Sequence, residues 1–202
     1  LIFYKNFKTS RIRNKEKRIR KGLRMIIYPG SFNPFHSGHL DIALRAANLF
    51  GGVTLLVADN PSKQYQLSST ARKVMIQTII TEMGLDSEVF KVDILPKDKM
   101  LADYCKENLS YNIVKGLRNG SDLESEMSQE WYTHKIDSCI KTVYLTTKQD
   151  KMYLSSSSIR SLTRMTEKDF INYMMKINKF EGLSDGENEF YFKLIYKKYK
   201  EM

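Results

Sequence analysis

From residue 25 onward, short apolar runs rich in β-branched residues alternate with segments whose apolar positions recur every three or four residues. That alternation predicts a parallel sheet covered by helices on both faces. MIIY (25–28) reads as a first strand ending at Pro29-Gly30, and VTLLVA (53–58) as a second, apolar on both faces and so fully buried. Between them, Leu40, Ala43, Leu44 and Ala47 follow the i, i+3, i+4, i+7 spacing of a helix opening near Gly38. Asn60-Pro61-Ser62-Lys63 is turn chemistry, followed by a loop to Ser68. A second helix from about Ser69 repeats Met75, Ile79 and Met83 on one face. EVFKVDI (88–94), YNIVKG (111–116) and KTVYL (141–145) supply three more strands. They are separated by a helix near 99–108 and a longer one from about Asp122, with Leu123, Met127 and Trp131 on one stripe. Five strands with four intervening helices make an α/β, doubly wound, five-stranded parallel sheet.

Past the fifth strand, Phe170 and Met174 predict a helix after Thr166, residues 182–188 read as a Gly/Ser/Asp linker, and 189–200 as a Lys/Tyr-rich helix. The chain thus divides into a leader (1–24), one domain (25–165) and a C-terminal helical extension (166–202), with apolar content sufficient for one sizeable core. The formal charge of +10 changes this picture only at one end. Residues 1–24 hold ten Lys or Arg against the single acid Glu16, so the body is close to neutral and calls for no nucleic-acid partner. The leader reads as a disordered or non-native extension ahead of Met25, with a transit peptide or a nucleic-acid-binding arm as alternatives. Cys105 and Cys139 read as helical residues without metal-type or redox-type spacing, which fits a reduced, cytoplasmic setting. No apolar run approaches the roughly 18 to 20 residues of a membrane span.

In doubly wound sheets, ligands bind beyond the carboxyl ends of the strands. The unusual residues of this chain gather there, at 29–39, 59–63, 115–118 and 146–160. In YPGSFNPFHSGH (28–39), the prolines and Gly30 turn the chain off the strand, Ser31 offers a hydroxyl and an N–H, and Gly38-His39 opens the helix. A helix N-terminus presents unpaired N–H groups and the positive dipole end to phosphate. His36 and His39 add donors at that point; capping or packing roles are the competing reading. A metal pair is less consistent, because no Cys, Asp or Glu at ligand spacing lies nearby and His134 belongs to a distant helix. Lys63, Lys115, Arg118 and Arg160 fall at the same edge and suggest a triphosphate site. Ser155 to Ser158 precede a helical pattern at 159–164 and either cap that helix or hold terminal phosphates.

Four segments in order, MIIYPGSFNPFHSGHLDIALRAANLF, ADNPSKQYQLS, VKGLRNGSDLESEM and TVYLTTKQDKMYLSSSSIR, resemble phosphopantetheine adenylyltransferases over roughly 25–165. HxGH alone marks the wider nucleotidyltransferase superfamily; NPSK, GLRNxxD and SSSxxR select this member. The resemblance implies a Rossmann-like nucleotidyltransferase fold. It also implies transfer of AMP from ATP to 4′-phosphopantetheine, giving dephospho-coenzyme A and pyrophosphate in coenzyme A biosynthesis. By the same resemblance, His39 contacts the α-phosphate and stabilises charge developing there, His36 supports the triphosphate, and Ser31 touches the phosphates of both substrates. Lys63 holds the acceptor phosphate and Arg118 binds near the β-phosphate, so His39, Lys63 and Arg118 are the implied catalytic set. Phe32 and Gly116 lie beside the nucleotide, Glu126 faces the pocket and Asp122 anchors its loop. Ser155, Ser156, Ser157 and Arg160 hold the triphosphate, while Leu101 and Lys115 serve the acceptor. Mg²⁺ is implied as a cofactor carried by ATP phosphates and water, and the assembly as a homo-oligomer, a hexamer.

The chain departs from that pattern in places. Lys115 stands where Arg is usual, keeping the charge but losing the bidentate fork. Asn33 replaces a common Asp, Ser125 an aromatic, and Thr133 an Asn that meets the pantetheine arm, so the resemblance supports the ATP half more fully than the acceptor half. Two alternatives stay open: an enzyme of the same superfamily acting on nicotinate mononucleotide or a phospho-alcohol, and a catalytically silent nucleotide-binding protein.

Overall fold

In the computed structural model of this chain, the described residues are 25–60 and 65–200, without the Ser125 side chain. Expectations for the leader and for Lys63 lie outside them. Strand β1 (Ile26–Gly30) occupies the centre of the sheet, and its sequence suits that place: Ile26, Ile27 and Tyr28 are all buried. It pairs in parallel with β2 (Val53–Val57) on one side and β4 (Asn112–Leu117) on the other. β3 (Phe90–Ile94) and β5 (Lys141–Thr146) complete the order β3-β2-β1-β4-β5, all parallel. The doubly wound sheet is as predicted, and its switch point falls between β1 and β4.

The four crossovers are α1 (Ser37–Phe50), α2 (Ser69–Glu82), α3 (Leu101–Glu107) and α4 (Gly120–Ile136). The periodic positions Leu40, Ala43, Ala47, Met75, Ile79 and Met83 join Ile26, Tyr28 and Leu55 in the main hydrophobic cluster, on one face of the sheet. Ala102, Tyr104 and Cys105 of α3 cover the other face against Ile27, Leu56 and Ile113.

Two local expectations are corrected, and one apolar stripe finds no core to enter. β3 starts at Phe90 instead of Glu88, because Asp86 accepts the Glu88 N–H through its carboxylate at 2.9 Å and the Val89 and Phe90 N–H groups through its carbonyl, forming a turn. The Leu123–Met127–Trp131 stripe does not enter the core: Trp131 is 74% exposed and Met127 is 54% exposed. α4 meets the sheet through polar pairs, Tyr144–Glu130 and Lys115–Glu126. Cys139 is exposed in the turn after α4, where its N–H bonds the Asp137 carboxylate; Cys105 is helical and buried.

A 3₁₀ turn (Gln149–Lys151) and α5 (Ser156–Leu162) follow β5, then α6 (Glu167–Ile177) and α7 (Asp185–Lys200). α7 starts inside the expected linker. Ser184 and Glu187 form a capping box there, with the Ser184 N–H donating to Glu187 Oε2 at 2.6 Å and the Glu187 N–H to Ser184 Oγ at 3.3 Å. Asn188 is fully buried; it accepts the Phe180 N–H and donates to the carbonyls of Phe180, Leu183 and Ser184, closing the α6–α7 connection. Phe170, Met174, Phe180, Tyr191 and Phe192 enter the same cluster as β1 and α1. The C-terminal helices are thus part of the main core.

Candidate active site

A cavity of about 590 Å³ opens at the carboxyl ends of β1 and β4. The β1–α1 connection lines it with Ser31, Phe32, His36 and His39. Lys115, Gly116, Arg118 and Glu126 enter from β4 and α4, and Ser155, Ser156, Ser157 and Arg160 from the chain after β5. Segments more than a hundred residues apart therefore converge where the sheet topology reverses. Leu101 does not join them. It opens α3 and lies half-buried against the second hydrophobic cluster, on the other face of the sheet.

The loop after β1 is shaped by aromatic packing. Phe32 adopts a left-handed φ of 45°, a conformation costing a non-glycine residue about 1–3 kcal/mol. Burial of its ring offsets that cost: it packs edge-on to Tyr28 at 5.3 Å and Phe35 at 5.6 Å. The ring also lies over Gly30, where a Cβ would stand 2.8 Å from it, so glycine is required there. Gly38 meets a similar limit, with a Cβ falling 3.1 Å from the His36 ring.

His36 is the N-cap residue of α1, and its N–H donates to His39 Nδ1 at 3.3 Å. That bond makes Nδ1 an acceptor and leaves the ring proton on Nε2. The two imidazoles stack at 3.6 Å, and His39 also stacks on Phe35 at 5.6 Å. Burial, reinforced by the Arg118 charge, holds the His39 pKa down to about 3. Burial, then the neighbouring His39, keeps His36 well below the ordinary imidazole range. Both rings are neutral at neutral pH, so His39 presents an oriented N–H.

The opposite wall carries ion pairs. Arg118 engages Asp122 through Nε and Nη2 at 3.0 Å each, and the Arg118 N–H bonds the same carboxylate at 3.0 Å. Burial raises the Asp122 pKa, but these bonds outweigh it and the carboxyl stays below its usual range. Lys115 Nζ lies 2.6 Å from Glu126 Oε2. After β5, Ser155 caps α5 by accepting the Ser158 N–H at 3.0 Å. Ser156 Oγ donates to the Pro34 carbonyl at 2.8 Å and Arg160 to the Asn33 carbonyl, bracing the β1–α1 loop.

Several contributors were not anticipated. Arg72 on α2 is 1% exposed and donates to the Ser31 carbonyl, the Leu67 carbonyl and Asp59, with its guanidinium 4.4 Å from the Tyr65 ring centre. Its signal was a cation three residues before Met75, on the apolar stripe of α2. Lys151 lines the cavity from the 3₁₀ turn, which is too short to leave a periodic trace. Asn178, Tyr191 and Tyr199 reach the β1–α1 loop from the C-terminal helices, and no local pattern marks them.

The profile of the family described as cytidylyltransferase-like matches residues 27–162. A phosphopantetheine adenylyltransferase of Clostridium novyi (strain NT) is 38% identical over 141 residues, covering 69% of this chain and 83% of that protein. Its counterpart in Wolbachia pipientis wMel is 32% identical, covering 70% and 81%. Among solved structures, the nicotinic acid mononucleotide adenylyltransferase of Plasmodium falciparum, complexed with NaAD, aligns with a TM-score of 0.53 at 18% identity, covering 76% of this chain and 95% of that one. The bifunctional NMN adenylyltransferase/ADP-ribose pyrophosphatase of Francisella tularensis aligns at 0.51 and 15% identity, covering 75% and 49%; these two likenesses speak to the fold. With its doubly wound sheet and the HSGH cavity at the switch point, the chain belongs to the cytidylyltransferase-like nucleotidyltransferases and, within them, to the phosphopantetheine adenylyltransferases.

Proposed function

We propose that this protein transfers the adenylyl group of ATP to 4′-phosphopantetheine, a step of coenzyme A biosynthesis, releasing pyrophosphate and dephospho-coenzyme A. One observation carries this reading: a neutral His39, with its proton assigned to Nε2, stands at the N-terminus of α1 in a cavity that also holds Arg118 and Lys115. An acceptor phosphate oxygen attacks the α-phosphorus in line. The new P–O bond forms as the bond to the β-bridging oxygen breaks, and the electron pair leaves with pyrophosphate. A phosphate monoester is largely ionised at neutral pH, so no general base is needed and catalysis rests on positioning and charge stabilisation. His39 Nε2–H donates to the α-phosphate oxygen as charge builds there, Arg118 holds the β-phosphate region, Ser31 and Lys63 orient the acceptor phosphate, and Arg160 secures the triphosphate end.

Magnesium suits this site as a companion of ATP. Asp122 and Glu126, the cavity's carboxylates, are engaged by Arg118 and Lys115, and no group of three or more His, Cys, Asp or Glu able to hold a metal occurs among the described residues. When bound, magnesium would be carried by phosphate oxygens and water, and would supply charge neutralisation for the triphosphate. The exposed side chains Met127, Trp131, Tyr132 and Ile136 on α4 support assembly into a homo-oligomer. The free thiols Cys105 and Cys139 support a cytoplasmic setting; no helix among the described residues is long and apolar enough to cross a membrane. The deciding experiment offers ATP with 4′-phosphopantetheine, nicotinate mononucleotide and phospho-alcohols in turn and measures pyrophosphate. Release with phosphopantetheine is expected; release only with another acceptor overturns the reading.

A further inference from the structure

The family profile ends at residue 162, so α6 and α7 lie beyond it. These helices nevertheless help to hold residues 33–39, alongside Ser156 and Arg160. Asn178, at the end of α6, accepts the Ser37 N–H at 2.8 Å in the first turn of α1. Tyr191 and Tyr199 on α7 donate to the Phe35 carbonyl at 3.1 Å and to Asn33 Oδ1 at 2.5 Å. Phe180 stacks on Phe35 with centroids 6.3 Å apart and planes 10° apart, and Phe35 stacks on His39. Asn178 is fully buried, and its Nδ2 has no hydrogen-bond partner. A buried, unbonded amide group destabilises a fold, so packing alone favours an apolar residue there. What asparagine supplies beyond leucine at this position is the oxygen bonded to Ser37.

We infer that the α6–α7 hairpin is a positioning device for catalysis: Asn178, Phe180 and Tyr199 hold the 33–39 loop so that the His39 ring presents Nε2–H at a fixed angle. The inference rests on the adenylyl-transfer reading above. It is tested in the full chain with Asn178→Leu and Tyr199→Phe, which remove single polar contacts and keep most of the side-chain bulk. Turnover, ATP affinity by calorimetry, and the ¹⁵N ring signals of the chain's three histidines are measured for each. Asn178→Leu is expected to lower turnover about 10-fold or more, as small displacements of catalytic groups do. ATP affinity stays nearly unchanged, and the His39 signals move away from a pure Nε2–H tautomer. Tyr199→Phe acts in the same direction, less strongly. Wild-type turnover and ring signals in the folded variants overturn the inference, as does a loss of turnover matched by lost ATP affinity with unaltered ring signals. If circular dichroism shows Asn178→Leu unfolded, Tyr199→Phe decides alone. If the wild type releases no pyrophosphate with phosphopantetheine, the functional reading fails, and the ring signals still decide whether the hairpin orients His39.

Discussion

Across the cavity, the β1–α1 wall and the α4 wall face each other with opposite chemistry. The first is neutral and densely braced: stacked His36, His39, Phe35 and Phe180, carbonyls held by Arg72, Arg160 and Ser156, and tyrosine hydroxyls from α7. The second is charged and lightly braced, with Arg118 on Asp122 and Lys115 on Glu126 across a helix whose apolar stripe faces solvent. A donor that must meet one developing charge gains from a rigid wall. Cations that gather a flexible triphosphate gain from partners they can exchange for phosphate, and both pairs keep some solvent contact, Arg118–Asp122 more than Lys115–Glu126.

The sharpest test of this division is His39→Ala, which removes the donor on the rigid wall. Turnover is expected to fall about 10²- to 10³-fold with a much smaller change in ATP affinity; near-normal turnover breaks the comparison. Next comes pH. The unfolded chain protonates His39 near pH 6.5, whereas the folded chain does so only near pH 3. Unfolding therefore takes up protons between those values, and stability falls as pH falls through that window. Urea midpoints from pH 7 to pH 4 should show a smaller decline in His39→Ala than in the wild type.

Glycine substitutions contrast the two walls directly. Gly30→Ala sets a methyl 2.8 Å from the Phe32 ring and should cost about 1–3 kcal/mol, whereas Gly120→Ala at the start of α4 meets nothing within 4 Å and should be close to neutral or mildly stabilising. A small effect is also expected from Asp122→Asn, below about 1 kcal/mol in stability because the pair with Arg118 is partly exposed. A rise in KM for ATP accompanies it as Arg118 loses its orienting partner. Thermal melts and initial rates check these three variants.

Local periodicity carried the sheet and the four crossovers, because buried strands and amphipathic helices write their environment into adjacent residues. The β1–α1 loop was legible for the same reason: its prolines, glycines and histidines are dictated by a turn feeding a helix. Leu101 has no such signature, because a leucine opening a short helix serves an apolar core as readily as a ligand. The α4 stripe was legible as a stripe but not in its setting, because periodicity reports an apolar face without saying what covers it. The brace from α6 and α7 was invisible, since Ser37–Asn178 and Asn33–Tyr199 join residues 141 and 166 positions apart and no local pattern encodes such pairings. The α7 start was readable in Ser184-x-x-Glu187, although the surrounding Gly, Ser and Asp suggested a linker.

Arg72 carries a consequence for how the molecule assembles. Its guanidinium is sequestered, and its acceptors come from three places: Ser31 after β1, Asp59 after β2, and Leu67 ahead of α2. Docking α2 before those segments are in place would strand a bare cation in the interior, so helix docking and closure of the β1–α1 loop form one cooperative unit. The amides of α2 and of residues 30–32 should then exchange with deuterium as one opening event. The cavity at the switch point would appear and vanish together with a helix that contributes none of its lining.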